Sequence, residues 1–271
     1  MPSPVRLGAV DYLNARPLVY GLELESERFS LRFDVPSKCA ALLHEGSIDI
    51  GMIPSIEYLR GTSPYRIVPH CAIASSGAVA SVALFSKKPV REVRKIAADT
   101  SSRTSNGLLR VLCYEHFGID PEFVPMPPRI DEMLTGCDAA LLIGDPALFL
   151  DPASRGLLKV DLGTEWVSLT GLPFVWAFWA GRIGVLSAAG VDRLVRARNE
   201  GVAAADTVAD AYCGPERAAT GRAYLRDNIQ YRLDSREVQG LRRFYKLAEK
   251  HGVVESLAEP EFYRGLTREE E

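Results

Sequence analysis

The chain has 271 residues, of which 32 are lysine or arginine and 35 are aspartate or glutamate, so its formal net charge is −3. Hydrophobic residues make up 47% of the sequence and charged residues 25%, values that are typical of folded globular proteins and exclude a disordered chain. Binding to nucleic-acid phosphates requires a basic surplus, so this balance argues against a nucleic-acid partner. The length fits one large domain or two lobes.

The hydropathy pattern predicts no membrane partner. The uncharged run Val167–Gly181 is interrupted by Gly171 and Pro173 and is shorter than the roughly 20 apolar residues that span a bilayer. The N-terminus lacks the apolar core of a signal peptide, so we expect a cytoplasmic protein. The five cysteines are widely spaced without a C-x-x-C pair, which predicts free thiols in a reducing compartment.

Short apolar segments alternate with helical patterns along the first part of the chain. The predicted strands are Val5–Val10, Phe29–Val35, Ile48–Ile53 and Val79–Ser86. Helices are predicted between them, near residue 17, over 36–46 and over 54–61. Strands and helices that alternate at this spacing predict a parallel sheet and an α/β architecture.

A polar segment, 87–95, follows and is predicted to cross into a second βα series. The strands of that series are predicted over 96–98, 123–125 and 138–144, and its helices over 106–117 and 129–135. A buried strand near residue 175 returns the chain, and charged amphipathic helices follow over 187–212, 215–227 and 235–251. We therefore predict a larger lobe, 1–86 plus 176–271, an inserted smaller lobe, 87–175, and a cleft between them.

The sequence lacks the common motifs of nucleotide and hydrolase sites. It contains no G-x-G-x-x-G after a strand, no phosphate-binding P-loop and no G-x-S-x-G elbow. The four histidines stand apart from one another, without the spacing of a metal site. We therefore expect neither a metal nor an organic cofactor.

Polar turns occupy the positions where the predicted cleft lies, at 11–14, 75–81, 99–105 and 143–145. The turn TSSRTS opens a helix, and its free N–H groups and hydroxyls predict an anion site that needs no lysine. Local structural roles are the alternative. Thr104 or Ser105 would then be a helix N-cap, Asp145 would cap the next helix, Asn14 would be a turn residue and Ser81 a small core residue.

Five blocks together resemble a known enzyme family. The blocks are V-x-Y-L-N-A-R-P-L (from residue 10), S-x-x-L-F-S (81–86), S-R-T-S (102–105), D-A-A-L-L-I-G-D (138–145) and T-G-L-P-F-V-W-A-F-W (170–179). In this order they are similar to the chorismate dehydratases of menaquinone biosynthesis, the MqnA family of the futalosine route. The resemblance spans residues 5–180, and the C-terminal helices match the family only in their charged, amphipathic pattern.

The resemblance implies a two-lobed fold like that of type II periplasmic binding proteins. It also implies a reaction, the loss of water from the dicarboxylate chorismate to give 3-[(1-carboxyvinyl)oxy]benzoate. Aromatisation of the ring drives that elimination, so a carbon–oxygen lyase of this kind needs no metal or redox cofactor. Neutral donors that are fixed before reaction suit such an anion, because they need not reorganise.

The family's motifs assign roles to particular residues. Asn14 and Ser81 are the implied catalytic residues, with Asn14 orienting the reacting groups and Ser81 contacting a carboxylate or the departing hydroxyl. The implied substrate-binding residues are Ser102, Thr104 and Ser105 at a carboxylate and Ser55, Thr170 and Gly171 in the pocket wall. No histidine or cysteine matches a family motif, which suggests that a substrate carboxylate removes the ring proton.

Two alternatives remain open. The related 1,4-dihydroxy-6-naphthoate synthase shares the fold but carries a histidine base where this chain has Gly144. A noncatalytic solute-binding or sensor module on the same fold is the second alternative, since fold alone does not fix function. The role of Asp145 is also open, because an ionised carboxylate in the cleft would repel a dianionic ligand.

Overall fold

The computed structural model describes residues 3–61 and 63–265, whose strands form two five-stranded sheets. The first sheet has the order β2-β1-β3-β10-β4, in which the strands are Phe29–Asp34 (β2), Val5–Val10 (β1), Ile50–Pro54 (β3), Phe174–Arg182 (β10) and Tyr65–Ser75 (β4). The second has the order β7-β6-β8-β5-β9, in which the strands are Glu122–Met126 (β7), Lys95–Asp99 (β6), Ala139–Ile143 (β8), Val82–Ser86 (β5) and Leu158–Asp161 (β9).

Helices cover both sheets and extend beyond them. In the described ranges the α-helices are Pro36–His44 (α1), Thr104–Leu112 (α2), Ile130–Gly136 (α3), Gly144–Leu148 (α4), Leu162–Thr170 (α5), Ala188–Ala203 (α6), Ala205–Cys213 (α7), Ala218–Ala223 (α8) and Ser235–Lys250 (α9). Short 3₁₀ turns follow β1 over Leu13–Val19 and β3 over Ser55–Leu59. The single helix predicted over 187–212 is thus two helices, α6 and α7.

The predicted α/β architecture is confirmed, but the sheets are mixed rather than parallel. β1 runs parallel to β2 and β3, and β6 runs parallel to β7 and β8. In contrast, β10 is antiparallel to β3 and β4, and β5 is antiparallel to β8 and β9. These two antiparallel strands, β5 and β10, are the first strands that the chain forms after it passes from one sheet to the other.

The chain passes to the second sheet one strand earlier than predicted, before Val82–Ser86 rather than after it. Val82–Ser86 pairs with β8 and β9, so this strand belongs to the second sheet. The chain therefore changes sheet within 76–81 and returns between α5 and β10. Hydrophobicity alone could not reveal this, because a fully buried strand has the same apolar pattern in either sheet. The assignment of the remaining residues to lobes stays a prediction.

The carboxylate of Asp161 joins the first crossing segment to α5. It accepts hydrogen bonds from the backbone N–H of Val79 (3.0 Å) and Ala80 (2.7 Å), and it also caps α5 at Gly163 and Thr164. Ala80 has φ +61°, a left-handed conformation that costs free energy in a residue with a Cβ. The paired N–H groups hold this strained turn at the entrance to β5.

Strand β4 was not predicted, because Pro69 interrupts its sequence pattern. The structure accommodates the proline in an irregular segment. Ala72 pairs with Phe178 and Ile67 with Ala180, so the segment 68–71 of β4 lies opposite a single residue of β10. His70 adopts φ +59° within this segment.

The two sheets share one apolar core. Leu7 and Phe178 of the first sheet and Leu84 and Leu141 of the second are buried in the same cluster. The cysteines are free thiols, as predicted, and all but Cys213 are buried. A second, smaller cluster, which includes Phe85 and Leu142, lies on the second sheet.

Candidate active site

A cavity lies between the two sheets at the carboxyl ends of β1, β3 and β8. Its apolar lining consists of Val10, Pro36, Pro54, Ile73, Val79, Val82, Ile143 and Ala177, together with the rings of Tyr12 and Trp176. Its polar lining consists of Asn14, Ser102, Thr104, Ser105 and the backbone of Gly144. Among the described residues that line it, none has a charged side chain. Such walls suit a small carbon ring whose polar groups are bound by neutral partners.

Asn14 lines this cavity and carries a buried, unpaired amide oxygen. It lies in the 3₁₀ turn that follows β1, and its Oδ1 is buried without a partner. A buried acceptor left unpaired costs about 1–3 kcal/mol, so a ligand group that donates to it is favoured. Asn14 is therefore both a turn residue and a cavity residue, and its catalytic role stays a prediction.

Ser81 is fully buried next to Asn14 rather than in the cavity lining. Its Oγ lies 2.6 Å from the phenolic oxygen of Tyr224, and the Asn14 side chain also hydrogen-bonds that hydroxyl. Burial raises the pKa of Tyr224 far above its usual value, so the phenol stays protonated. The structure thus brings the two predicted catalytic residues together through a third residue that the sequence analysis missed.

The start of α2 forms the polar end of the cavity. Ser102, Thr104 and Ser105 are buried and line it. The N-cap position is Arg103, which makes no side-chain cap, so neither Thr104 nor Ser105 acts as the cap. The first-turn N–H groups have no intrahelical acceptor, and the helix dipole is positive here. This end of the cavity can therefore bind a carboxylate, as the TSSRTS sequence predicts.

Ser55 contacts Thr104, the first residue of α2. Its Oγ donates to the carbonyl of Val175 (2.7 Å) and lies 3.4 Å from the Thr104 hydroxyl. The Thr104 oxygen also accepts a hydrogen bond from the N–H of Ile56 (3.2 Å). Ser55 is therefore in contact with a cavity-lining residue but does not itself line the cavity.

Arg103, the one cation in TSSRTS, is paired with Glu57 outside the cavity. The Glu57 side chain is fully buried and accepts from Arg103 (3.2 Å), and it also pairs with Arg60 (2.9 Å) and His44 (3.2 Å). Burial raises the pKa of the Glu57 carboxyl, but the His44 hydrogen bond and the two guanidinium charges outweigh it and lower the pKa below its usual value. This network fixes the loop before α2 and leaves the cavity uncharged.

Thr170 and Gly171 do not reach the cavity. Thr170 Oγ1 donates to the carbonyl of Trp166 (2.8 Å) and accepts from the N–H of Leu172 (3.2 Å). Gly171 ends α5 in the left-handed conformation, with φ +68°. Both residues of this block terminate a helix, and Trp176, farther along the same block, forms the wall in their place.

Asp145 holds the turn that carries Asn14. Its Oδ1 accepts from the N–H of Leu13 (3.2 Å), and its Oδ2 accepts from the Tyr212 hydroxyl (2.6 Å). It is not the N-cap of α4, because that position is Ile143 and Asp145 lies within the first turn. Burial raises the pKa of Asp145, which lowers the cost of placing it near an anionic ligand. The structure therefore assigns it a structural role.

Gly144 and Tyr12 meet at the cavity wall. Gly144 has φ +63°, and a Cβ built on it would lie 2.7 Å from the Tyr12 ring. Its N–H donates to the carbonyl of Ser81 (2.8 Å). Burial raises the pKa of Tyr12 to about 12, so this phenol is also neutral near pH 7. Tyr12 belongs to the DYLN turn and is the tyrosine of the V-x-Y-L-N block, although no role was predicted for it.

Within residues 3–61 and 63–265, no helix is long and apolar enough to cross a bilayer. No group of three or more histidine, cysteine, aspartate or glutamate side chains there is arranged to hold a metal ion.

Solved structures with the same fold include binding proteins. Protein AF1704 of Archaeoglobus fulgidus superposes with a TM-score of 0.74 at 19% identity, covering 93% of this chain and 99% of that one. The alkanesulfonate-binding protein SsuA of Xanthomonas axonopodis pv. citri, bound to MOPS, gives 0.66 at 16% identity, covering 93% and 94% of the two chains. At these identities the likeness shows the fold alone, a two-lobed periplasmic-binding-protein-like fold, as predicted.

Sequence comparisons are more specific. A family model described as menaquinone biosynthesis matches residues 5–250. The chorismate dehydratase of Thermus thermophilus is 32% identical over 260 residues, which cover 89% of this chain and 94% of that protein. The chain therefore belongs to the menaquinone-biosynthesis family, together with the chorismate dehydratase of Thermus thermophilus.

Proposed function

We propose that this protein is a chorismate dehydratase, a hydro-lyase that forms 3-[(1-carboxyvinyl)oxy]benzoate. The observation that carries the proposal is the uncharged cavity, which has the free start of α2 at one end and the Asn14 side chain in its wall. A dicarboxylate with a six-membered ring matches this arrangement. The related Thermus dehydratase supports the choice of chorismate among such molecules.

The elimination requires one proton and one hydroxyl to leave adjacent ring carbons. The carbon that bears the enolpyruvyl ether loses its proton, and the C–H electron pair becomes the new ring double bond. The neighbouring carbon loses its hydroxyl with the C–O electron pair, and proton and hydroxide leave together as water. Because the product ring is aromatic, the protein's task is to hold these groups in the reactive geometry.

In this proposal one substrate carboxylate binds at the first turn of α2, through the hydroxyls of Ser102 and Ser105 and the N–H groups there. The ring packs against Trp176 and the aliphatic wall, and the Asn14 amide hydrogen-bonds the ring hydroxyl. Asn14 thereby fixes the orientation of the leaving group. Direct contact between Ser81 and the substrate stays a prediction, since Ser81 does not line the cavity.

The substrate's own carboxylate is the proposed base. None of the described residues that line the cavity has a side chain that is basic near pH 7. The pKa values of two nearby phenols, Tyr12 in the lining and Tyr224 behind it, are raised, so both phenols stay protonated. The enolpyruvyl carboxylate is attached close to the proton that must leave, so it can accept this proton and pass it to the departing hydroxide.

The related synthase reaction is disfavoured by Gly144. A histidine there would need a left-handed backbone and the space of the Tyr12 ring. The proposed base of that enzyme therefore has no place in this cavity.

Incubating the purified protein with chorismate tests the proposal. We expect an aromatic ultraviolet absorption to grow and mass spectrometry to show a product lighter than chorismate by one water. A sample without protein is the control, because uncatalysed rearrangement of chorismate gives isomers of unchanged mass. Binding of chorismate without any product would contradict the proposal and support the solute-binding alternative.

A further inference from the structure

The hydroxyl of Tyr224 connects residues from three parts of the fold. Asn14 follows β1 of the first sheet, Ser81 precedes β5 of the second, and Tyr224 begins the short π-helical turn between α8 and α9. We propose that Tyr224 is a positioning residue for the dehydration, which sets the Asn14 amide and Ser81 relative to each other. The inference rests on the proposed function, and it assigns a role to the C-terminal segment.

The Tyr224 hydroxyl interacts with one end of the Asn14 amide and hydrogen-bonds Ser81. Asn14 stabilises the phenolic oxygen of Tyr224 by a hydrogen bond, so its NH₂ group is the donor. Its Oδ1 is then the atom left without a partner. The two amide ends have similar shape but opposite hydrogen-bonding character. Without the Tyr224 oxygen, the amide would lose this partner and could exchange its two ends.

The phenol is well suited to this bridging role. One hydroxyl can accept from Asn14 and donate to Ser81, whose Oγ is 2.6 Å away. The Tyr224 ring is buried, so its oxygen cannot be replaced by bulk water. Asn228, on the same turn, donates to the carbonyl of Ala78 (2.9 Å) and fixes this segment against the crossing loop.

The test compares Tyr224→Phe with Tyr231→Phe. Both rings are buried, but the Tyr231 hydroxyl has no hydrogen-bond partner among the described residues, so its removal is the matched control. We expect Tyr224→Phe to lower kcat for chorismate by about tenfold or more while KM changes less than about threefold, since positioning acts on the reactive geometry. Tyr231→Phe is expected to keep wild-type kcat. A wild-type kcat in Tyr224→Phe would overturn the inference.

A double variant tests whether Tyr224 acts through Ser81. If it does, Tyr224→Phe combined with Ser81→Ala lowers kcat by less than the product of the two single effects. Independent, multiplicative losses would contradict a shared role.

A measurement without substrate separates this inference from the proposed function. The side-chain amide signals of Asn14 in a ¹⁵N-labelled sample are expected to shift in Tyr224→Phe and to stay in place in Tyr231→Phe. Unchanged Asn14 signals in Tyr224→Phe would overturn the inference even if chorismate is turned over. If the wild type forms no product, the proposed function fails while this measurement still tests the hydrogen-bond arrangement.

Discussion

Replacing Asn14 with alanine lowers kcat for chorismate by about 10²–10³-fold, the effect typical of losing one preorganised hydrogen-bonding group in an active site. The amide is the polar wall residue whose oxygen is buried and unpaired. Its removal leaves the ring hydroxyl without a fixed partner. The apolar walls and the start of α2 are untouched, so chorismate binding is expected to weaken less than turnover falls.

The fold of this variant is expected to be intact. The substitution removes an unpaired buried acceptor together with the interaction with the Tyr224 hydroxyl, so the free energy of unfolding should fall by no more than about 2 kcal/mol. Denaturant unfolding and steady-state kinetics measure the two effects separately. Asn199→Ala, at an exposed position on α6, is the control and should match the wild type in both. Asn14→Ala with kcat within about threefold of wild type, at normal stability, would refute a catalytic role.

Replacing Gly144 with alanine is expected to damage both stability and catalysis. The left-handed backbone at this position costs an L-residue roughly 1–2 kcal/mol. The new Cβ would also lie 2.7 Å from the Tyr12 ring, which must then leave its place in the cavity wall. Overpacking of this kind adds about 1–3 kcal/mol. The displaced ring changes the shape of the cavity, so kcat/KM should fall at least about tenfold.

Gly156→Ala separates backbone strain from the steric effect. Gly156 has φ +62°, almost the value of Gly144, and nothing lies within 4 Å of a Cβ built there. We expect Gly156→Ala to lose only the backbone contribution to stability and to keep wild-type kcat/KM. Equal stability and equal kcat/KM for the two variants would show that contact with Tyr12 does not shape the site.

The sequence predicted those parts of the site that depend on local patterns. The TSSRTS turn opens a helix whose first-turn N–H groups are free in any fold, so its anion-binding character could be inferred from residues 99–105 alone. The alternation of apolar strands and helices likewise predicted the α/β architecture. The family resemblance located Asn14 in its turn, although the orphan state of its oxygen is visible only in the structure.

The other parts depend on contacts between distant segments. Tyr224 has no motif around it, and its importance comes from meeting Ser81, 143 positions away in the chain. Thr170 and Gly171 belong to a family-like block, but their local hydrogen bonds end a helix, and Trp176 forms the wall instead. Strand β5 is as apolar as strands of either sheet, so only its pairing assigns it to the second sheet.

A crystal structure of the protein with 3-[(1-carboxyvinyl)oxy]benzoate tests the central claim most directly. We expect one carboxylate within about 3 Å of the Ser102 and Ser105 hydroxyls and the first-turn N–H groups of α2, a normal hydrogen-bond distance. The aromatic ring should lie against Trp176, with Asn14 at the edge from which the hydroxyl departed. Product bound outside this cavity, or with both carboxylates away from the start of α2, would contradict the account.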